Sequence, residues 1–428
     1  MPKGGREGSK SKRQTKAKRK ASPKRAEDTM DVDEEEAMSV TSQGSLDFAN
    51  GDEFAAAEGN EDGTEEITVN MEQVLDDNLD GATQKSARGR QTCLANIQKA
   101  LRSKLLFDYA VNRKMTIQDT VERFLRRGTT EDRVLAASIA SLLCIQLGFG
   151  VDSEELFKSL KQYLIIVIQD PTAHPAARAS CCTTLGICCF LACDEDEDFK
   201  ECTQVFENVF NTNKTVQPPQ VPFHCSALLS WGLLLSIANN AEDLVQQYMR
   251  RVINILQTSN EIDLRISAGE ILALMYEIKR FSDESFQGDR KRICELLREL
   301  ATDSDRHKAK KDLKQQRASF RDVLKAVEDG AVPEDSIRFG TEVMELDSWA
   351  RRRQYGALKD TLTTGTVTHL KANELVRQIF ELGPPISLEE SKQKKCSKYE
   401  RQLWNNAASK ARTLTRGKHR DKRNASMY

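Results

Sequence analysis

Residues 133–148, RVLAASIASLLCIQLG, set a basic residue three and four positions ahead of two small ones, then run on as an apolar stretch that stops at glycine. The opening of that stretch returns along the chain. Arg178 precedes Cys181 and Cys182, and Arg265 precedes Ala268 and Gly269. Phe223 precedes Ser226 and Ala227 without the arginine, and Arg90 with Cys93 and Leu94 is a fainter first copy. Successive copies lie 43, 45, 45 and 42 residues apart. Small residues at such steps share one helix face and let a second helix cross closely. A period of roughly 40–47 residues belongs to helix pairs of the armadillo or HEAT kind.

The punctuation agrees. Gly128, Gly148 and Gly150, Asp170-Pro171, the acids 194–198, Pro218-Pro219 and the stretch 282–288 interrupt helical periodicity that begins near Ser86 and reaches Asp329. No segment alternates long enough to predict a strand. The expected fold is all-α: an armadillo-like helical-repeat solenoid over 86–330, followed by a helical unit over 333–385 and a basic amphipathic helix with its tail over 388–428. Residues 1–85 are expected to be a disordered tail, basic and then acidic, in which Met71, Val74, Leu75 and Leu79 suit a short amphipathic helix.

Charge is segregated in the same way. Residues 1–25 hold eleven Lys/Arg against Glu7, while 26–84 hold nineteen Asp/Glu and no Lys or Arg. Residues 391–428 hold twelve Lys/Arg against Glu400 and Asp421. Blocks of like charge repel and cannot pack, so they suit tails that meet a partner. Basic tails meet phosphate. The runs Lys10 to Arg13 and Lys16 to Lys20 also suit a nuclear-localisation signal. No apolar stretch follows the basic start, and the run Ala227–Ala238 is shorter than the ~20 residues of a membrane span. A protein without a membrane segment, monomeric, and cytoplasmic or nuclear, is expected.

Two basic helices stand out as nucleic-acid candidates. Arg306, Lys310, Lys314, Arg317 and Arg321 follow steps of three and four and form one stripe, beside an apolar stripe of Leu313, Phe320, Leu324 and Val327. From Leu388 to Arg416 there is neither Gly nor Pro, and Tyr399, Leu403, Ala407 and Ala411 step by four along one face. Lys398, Arg401, Lys410, Arg412 and Arg416 surround that face, with Trp404 within it and Lys418, Arg420, Lys422 and Arg423 beyond. Such a helix can neutralise phosphates and stack on bases.

Other constellations point to no chemistry. Cys181, Cys182, Cys188, Cys189, Cys193 and Cys202 sit in a helical run with Leu185, Ile187 and Leu191, where cysteine packs as a small apolar residue and no zinc-type spacing exists. Eleven cysteines in a chain of 428 residues suit a reducing compartment. The acids 194–198 lack calcium-loop spacing and suit a solvated turn. The five histidines are scattered, and no phosphate-cradling loop or nucleophile motif occurs. No catalytic residue, metal or cofactor is expected.

Four stretches resemble the interferon-related developmental regulator family: Arg133 to Gly148; Arg265 to Leu274 (RISAGEILAL); Arg317 to Glu328 (RASFRDVLKAVE); and Ile337 to Arg423. The last contains FELGPP from Phe380, YERQL from Tyr399, KART from Lys410 and RDKR from Arg420. The likeness covers about residues 86–424. It implies an armadillo-like body without enzymatic activity and a regulatory role in differentiation. It further implies two occupations, which one chain can combine. One is binding to idle ribosomes, with the C-terminal basic helix in an RNA-lined channel and translation repressed. The other is a nuclear transcriptional co-regulator that scaffolds corepressor or chromatin proteins. Tyr399, Glu400, Arg401, Leu403, Asn406, Ala407, Ala408, Lys410, Ala411, Arg412, Arg420, Asp421, Lys422 and Arg423 match the family's terminal helix. Trp404 and Asn405 depart from it and leave its stacking capacity intact.

Overall fold

The computed structural model describes residues 61–211, 216–280, 290–303 and 309–385, with side chains from Met71 onward. Helices dominate. In order they are α1 (Glu61–Gly81), α2 (Ala87–Ser103), α3 (Phe107–Arg127), α4 (Thr130–Leu147), α5 (Val151–Gln169) and α6 (Pro175–Ala192). Then come α7 (Asp196–Phe210), α8 (Val221–Leu235), α9 (Ala241–Thr258), α10 (Ile262–Arg280), α11 (Arg290–Thr302) and α12 (Lys310–Asp329). A hairpin of β1 (Ser336–Phe339) and β2 (Glu342–Glu345) precedes α13 (Trp349–Leu362), α14 (Thr366–Ala372) and α15 (Glu374–Ile379).

The repeats are antiparallel helix pairs, α3/α4 through α11/α12, stacked so that α2, α4, α6, α8, α10 and α12 pack in sequence as one layer. The small residues lie where these even-numbered helices cross. A side-chain carbon added at Gly186 would sit 2.7 Å from the Ser230 Cβ, so α6 and α8 approach almost backbone to backbone. Hydroxyls bridge the same crossings: Thr184 Oγ1 donates to the Ala137 carbonyl at 2.8 Å and Ser230 Oγ to the Cys182 carbonyl at 3.1 Å.

The repeated arginine has a separate task. Each one reaches back to the end of its partner helix and donates to a carbonyl left without an intrahelical partner. Arg133 bonds the Arg126 carbonyl, Arg178 Nε bonds Ile168 O at 2.8 Å, and Arg265 Nε bonds Ser259 O at 2.6 Å. At the copy without arginine, Phe223 instead receives the Arg178 guanidinium 3.9 Å above its ring. Arg90 differs again. Its Nη2 meets the buried Asp132 carboxylate at 2.8 Å, and that carboxylate also accepts the Thr129 N–H in the capping box opening α4. Burial alone would raise the Asp132 pKa, but these donors hold it below its ordinary value.

Three expectations change. The tail does not extend to residue 85, because α1 covers 61–81 and buries Leu75, Leu79 and Ala82 against the first repeat. Asp76 fixes it there, accepting from the Tyr109 hydroxyl at 3.0 Å and pairing with Arg113. Such a helix covers the apolar end of a repeat stack that would otherwise face water. Next, the unit after 333 is not wholly helical. β1 and β2 pair antiparallel with Phe339 opposite Glu342, and Gly340 takes φ +64° in the two-residue turn, a conformation tight hairpins require. Finally, the acids 194–198 are only half a turn. Asp196, Glu197 and Asp198 form the first turn of α7, where the helix dipole favours negative charge. Lys161 holds Asp198 at 2.6 Å.

The sulfur-rich helix α6 has the length and apolarity of a membrane span, yet two thirds of it is buried among its neighbours. Cys181, Cys182, Cys188, Cys189 and Cys202 are enclosed in the core. Among the described residues no three His, Cys, Asp or Glu side chains converge on a metal position.

Candidate nucleic-acid interface

The even-numbered helices α4, α6, α8 and α10 are apolar nearly all round, which demands cover on both sides. The odd-numbered helices cover one side. The C-terminal unit covers the other: α13 lies across α2, α4, α6, α8 and α10. Polar contacts weld it at each end. The Glu277 carboxylate on α10 accepts the N–H groups of Trp349 at 2.7 Å and Ala350 at 3.1 Å, occupying the positive end of α13. Burial pushes that carboxyl above its ordinary pKa, and the two N–H groups oppose the shift. Arg102 on α2 donates to the Thr361 carbonyl at 3.2 Å.

His369 and Asn373 complete the weld. The Asn373 amide lies 3.1 Å from His369 Nδ1, and its oxygen accepts the Val376 N–H as the cap of α15. With amide N–H pointing at Nδ1, that nitrogen accepts, and Nε2 carries the proton toward the Arg102 carbonyl 3.2 Å away. Burial lowers the His369 pKa to about 4, against the pull of carbonyls at Arg102 and Leu101.

The chain leaves this unit through Arg377, which is 1% exposed. Its guanidinium makes a two-pronged pair with Glu342 of β2 at 2.8 and 3.0 Å. It also donates to the carbonyls of Leu370, Leu382, Gly383 and Pro384 at 2.8–3.0 Å. A buried guanidinium must satisfy all its N–H groups. Here it does so by fixing the turn Leu382–Pro385, where the described residues end and the basic C-terminal segment begins.

That segment's candidates, Lys398, Tyr399, Arg401, Trp404, Lys410, Arg412, Arg416, Lys418, Arg420, Lys422 and Arg423, lie outside the described residues, as does Arg306. On α12, Lys310, Lys314 and Arg321 are exposed on one side of the helix, opposite buried Phe320 and Val323. Arg317 is not one of this free set. Its Nε donates to the Asp303 carbonyl at 2.8 Å, closing the end of α11 as the repeat arginines close their own partners. The mark of the repeat arginines, small residues three and four positions on, is absent at Arg317, where Phe320 and Arg321 follow. The Arg377 and Glu277 anchors carried no such signal, because charged residues are ordinarily exposed.

Together these features define a class: an armadillo-like repeat protein that covers one layer with its own C-terminal unit and holds a basic terminal segment at a fixed root. The chain belongs to the interferon-related developmental regulator family. The family model of that name matches residues 37–328, and a second, described as the interferon-related protein conserved region, matches 373–424. Interferon-related developmental regulator 1 of Mus musculus is 40% identical over 376 residues, covering 85% of this chain and 83% of that protein. The Homo sapiens protein of the same name is 39% identical over the same length, covering 85% and 82%. Interferon-related developmental regulator 2 of Mus musculus is 41% identical over 367 residues, covering 83% of each. A designed armadillo repeat protein overlays 59% of this chain and 100% of its own with TM-score 0.35 and 9% identity; the fold rests on the helix pairs themselves.

Proposed function

We propose that this chain is a non-catalytic regulator that docks on ribosomal RNA and represses translation, with the basic helix and tail 388–428 inserted in an RNA-lined channel. The observation that carries this reading is a +10 segment, 391–428, bearing Tyr399 and Trp404 and departing from a turn held by a buried arginine. A fixed root reduces the freedom lost when the segment enters a channel. The exposed cations Lys310, Lys314 and Arg321 add a second phosphate-facing surface. The alternative, a nuclear scaffold for corepressor or chromatin proteins, draws on the repeat body; the cover α13 lays over the even-numbered helices weighs against that layer as its docking face. Residence in both cytoplasm and nucleus suits either reading.

Binding of the full chain to purified ribosomal RNA across roughly 50–200 mM salt tests the proposal. Phosphate-driven binding should weaken steeply, and Lys410→Gln with Arg412→Gln should flatten the log–log slope by about two contacts. A salt-independent interaction, or one unchanged in the double variant, refutes it. Pull-down from nuclear extract with and without nuclease separates the scaffold reading, whose partners should survive loss of RNA.

A further inference from the structure

We propose that Cys193, Cys189 and Cys202, where α6 meets α7, form a peroxide-sensitive thiol site in which Cys193 is oxidised first and Cys189 closes a disulfide onto it. The three sulfurs form a chain running from the surface inward. Cys193 is the residue that ends α6; its backbone has left the helix at φ −87°, ψ 117°, and its N–H bonds the Cys189 carbonyl at 3.1 Å. It is partly exposed, whereas Cys189 and Cys202 are 1% and 0% exposed. The Cys189 thiol neighbours both other sulfurs, Cys193 one helical turn on and Cys202 on α7. The Cys193 sulfur lies 3.3 Å from the Glu195 carbonyl, a contact that fixes its side chain at the surface. Residues four apart at a helix end lie within the Cα separation a disulfide spans, roughly 4.4–6.8 Å.

The surroundings divide the labour. The hydrogen bond from Cys189 holds the Cys193 thiol below its ordinary pKa; burial and the Asp198 carboxylate oppose this, and the Glu195 backbone and the Lys161 ammonium assist. Cys189 is held well above the ordinary value by its bonds to Cys193 and Cys202 and by burial. A thiolate at the surface is the nucleophile toward a hydroperoxide. Its sulfur attacks one peroxide oxygen, the O–O bond breaks, and hydroxide leaves, giving a sulfenic acid on Cys193. The Cys189 sulfur then attacks that sulfur, its proton passing to hydroxide as water. The S–S bond forms as the S–O bond breaks, and the second oxygen departs as hydroxide, which becomes water by taking the proton that Cys193 released on ionising. Two thiols lose two electrons, and one hydroperoxide is reduced.

The same helix carries its own control. Cys188 contacts the Cys144 thiol, but both are fully enclosed, so that pair has sulfur next to sulfur without a route for oxidant. Packing alone would treat both pairs alike; exposure at the end of α6 separates them.

The test treats the reduced full chain with graded hydrogen peroxide, blocks free thiols with N-ethylmaleimide, and maps disulfides by mass spectrometry. Trypsin leaves five of the cysteines on Ala179–Lys200 and Cys202 on the next peptide, and chymotrypsin after Phe190 separates Cys189 from Cys193. The expected product is a link within Ala179–Lys200 that joins two peptides after the chymotryptic cut. Cys193→Ser should reduce disulfide yield at least tenfold. Cys189→Ser should leave Cys193 as a sulfenic acid trapped by dimedone. Without any variant, native Cys193 should alkylate at least tenfold faster than Cys188. Equal alkylation rates, or a Cys189–Cys202 link formed as readily in Cys193→Ser as in the parent, overturns the proposal.

Discussion

The even-numbered and odd-numbered helices obey the same repeat but are held by different forces. Even-numbered helices meet through shape: Gly186 against Ser230, Thr184 on the Ala137 carbonyl, and apolar side chains on every face. Odd-numbered helices α3, α5 and α7 meet through ion pairs whose lysine stems are buried and whose carboxylates mostly reach solvent. Lys114 on α3 bridges Asp152 and Glu155 of α5, and Lys161 on α5 bridges Asp198 and Glu201 of α7. Close packing tolerates no change of volume, while pairs open to solvent on their carboxylate side are partly screened by salt. The layer that needed cover received the chain's own C-terminal unit, and the layer that did not remains open to solvent. Under the proposed function, recognition of a large partner falls to the open layer, the basic face of α12 and the segment that follows Arg377.

The largest test of this contrast is Arg377→Ala. It strands Glu342 and several carbonyls at the cover's exit, and should lower unfolding free energy by about 3–5 kcal/mol, read by urea denaturation. Pairing it with Glu342→Gln should restore part of the loss. Acid comes next. The unfolded chain protonates histidine near its ordinary value of 6.5, whereas burial holds His369 and His224 to about 4. Between those values the unfolded state binds more protons, so stability is full above pH 6.5 and falls as pH drops toward 4. His369 alone should account for about 3 kcal/mol by pH 4, and His369→Gln should flatten that share of the slope. Gly186→Val, which forces α6 from α8, should cost about 1–3 kcal/mol. The smallest effect belongs to the open layer: Lys161→Ala releases two carboxylates that water can reach, and should cost about 1 kcal/mol and less in 1 M salt. A loss at Lys161 equal to that at Gly186 would erase the distinction between the layers.

The repeat was legible because small residues at a fixed period have one purpose, letting helices cross. Two signals were present but unread. Helices apolar all round, such as α8 with its run from Ala227, imply cover on a second side as well as burial on the first. Ile337, Phe339 and the Gly340-Thr341 pair spell a tight hairpin, but strands of four residues are too short for alternation to register. Arg377, Glu277 and His369 were invisible for a different reason. Their roles depend on partners 35, 72 and 267 residues away, and a side chain's charge does not say that it is buried. The α12 stripe was legible as charge, and only the structure separates Arg317, which caps a helix, from the three exposed cations.

The most direct measurement of the proposed division of labour is sucrose-gradient sedimentation of the full chain and a 1–390 truncation with ribosomes. The cut leaves Arg377, its carbonyl partners and the covered layer intact, so both proteins should melt at the same temperature. The full chain is expected in the ribosomal fractions and the truncation at the top of the gradient. A truncation that sediments with ribosomes as fully as the intact chain would place recognition on the repeat body and contradict the role assigned to the basic terminal segment.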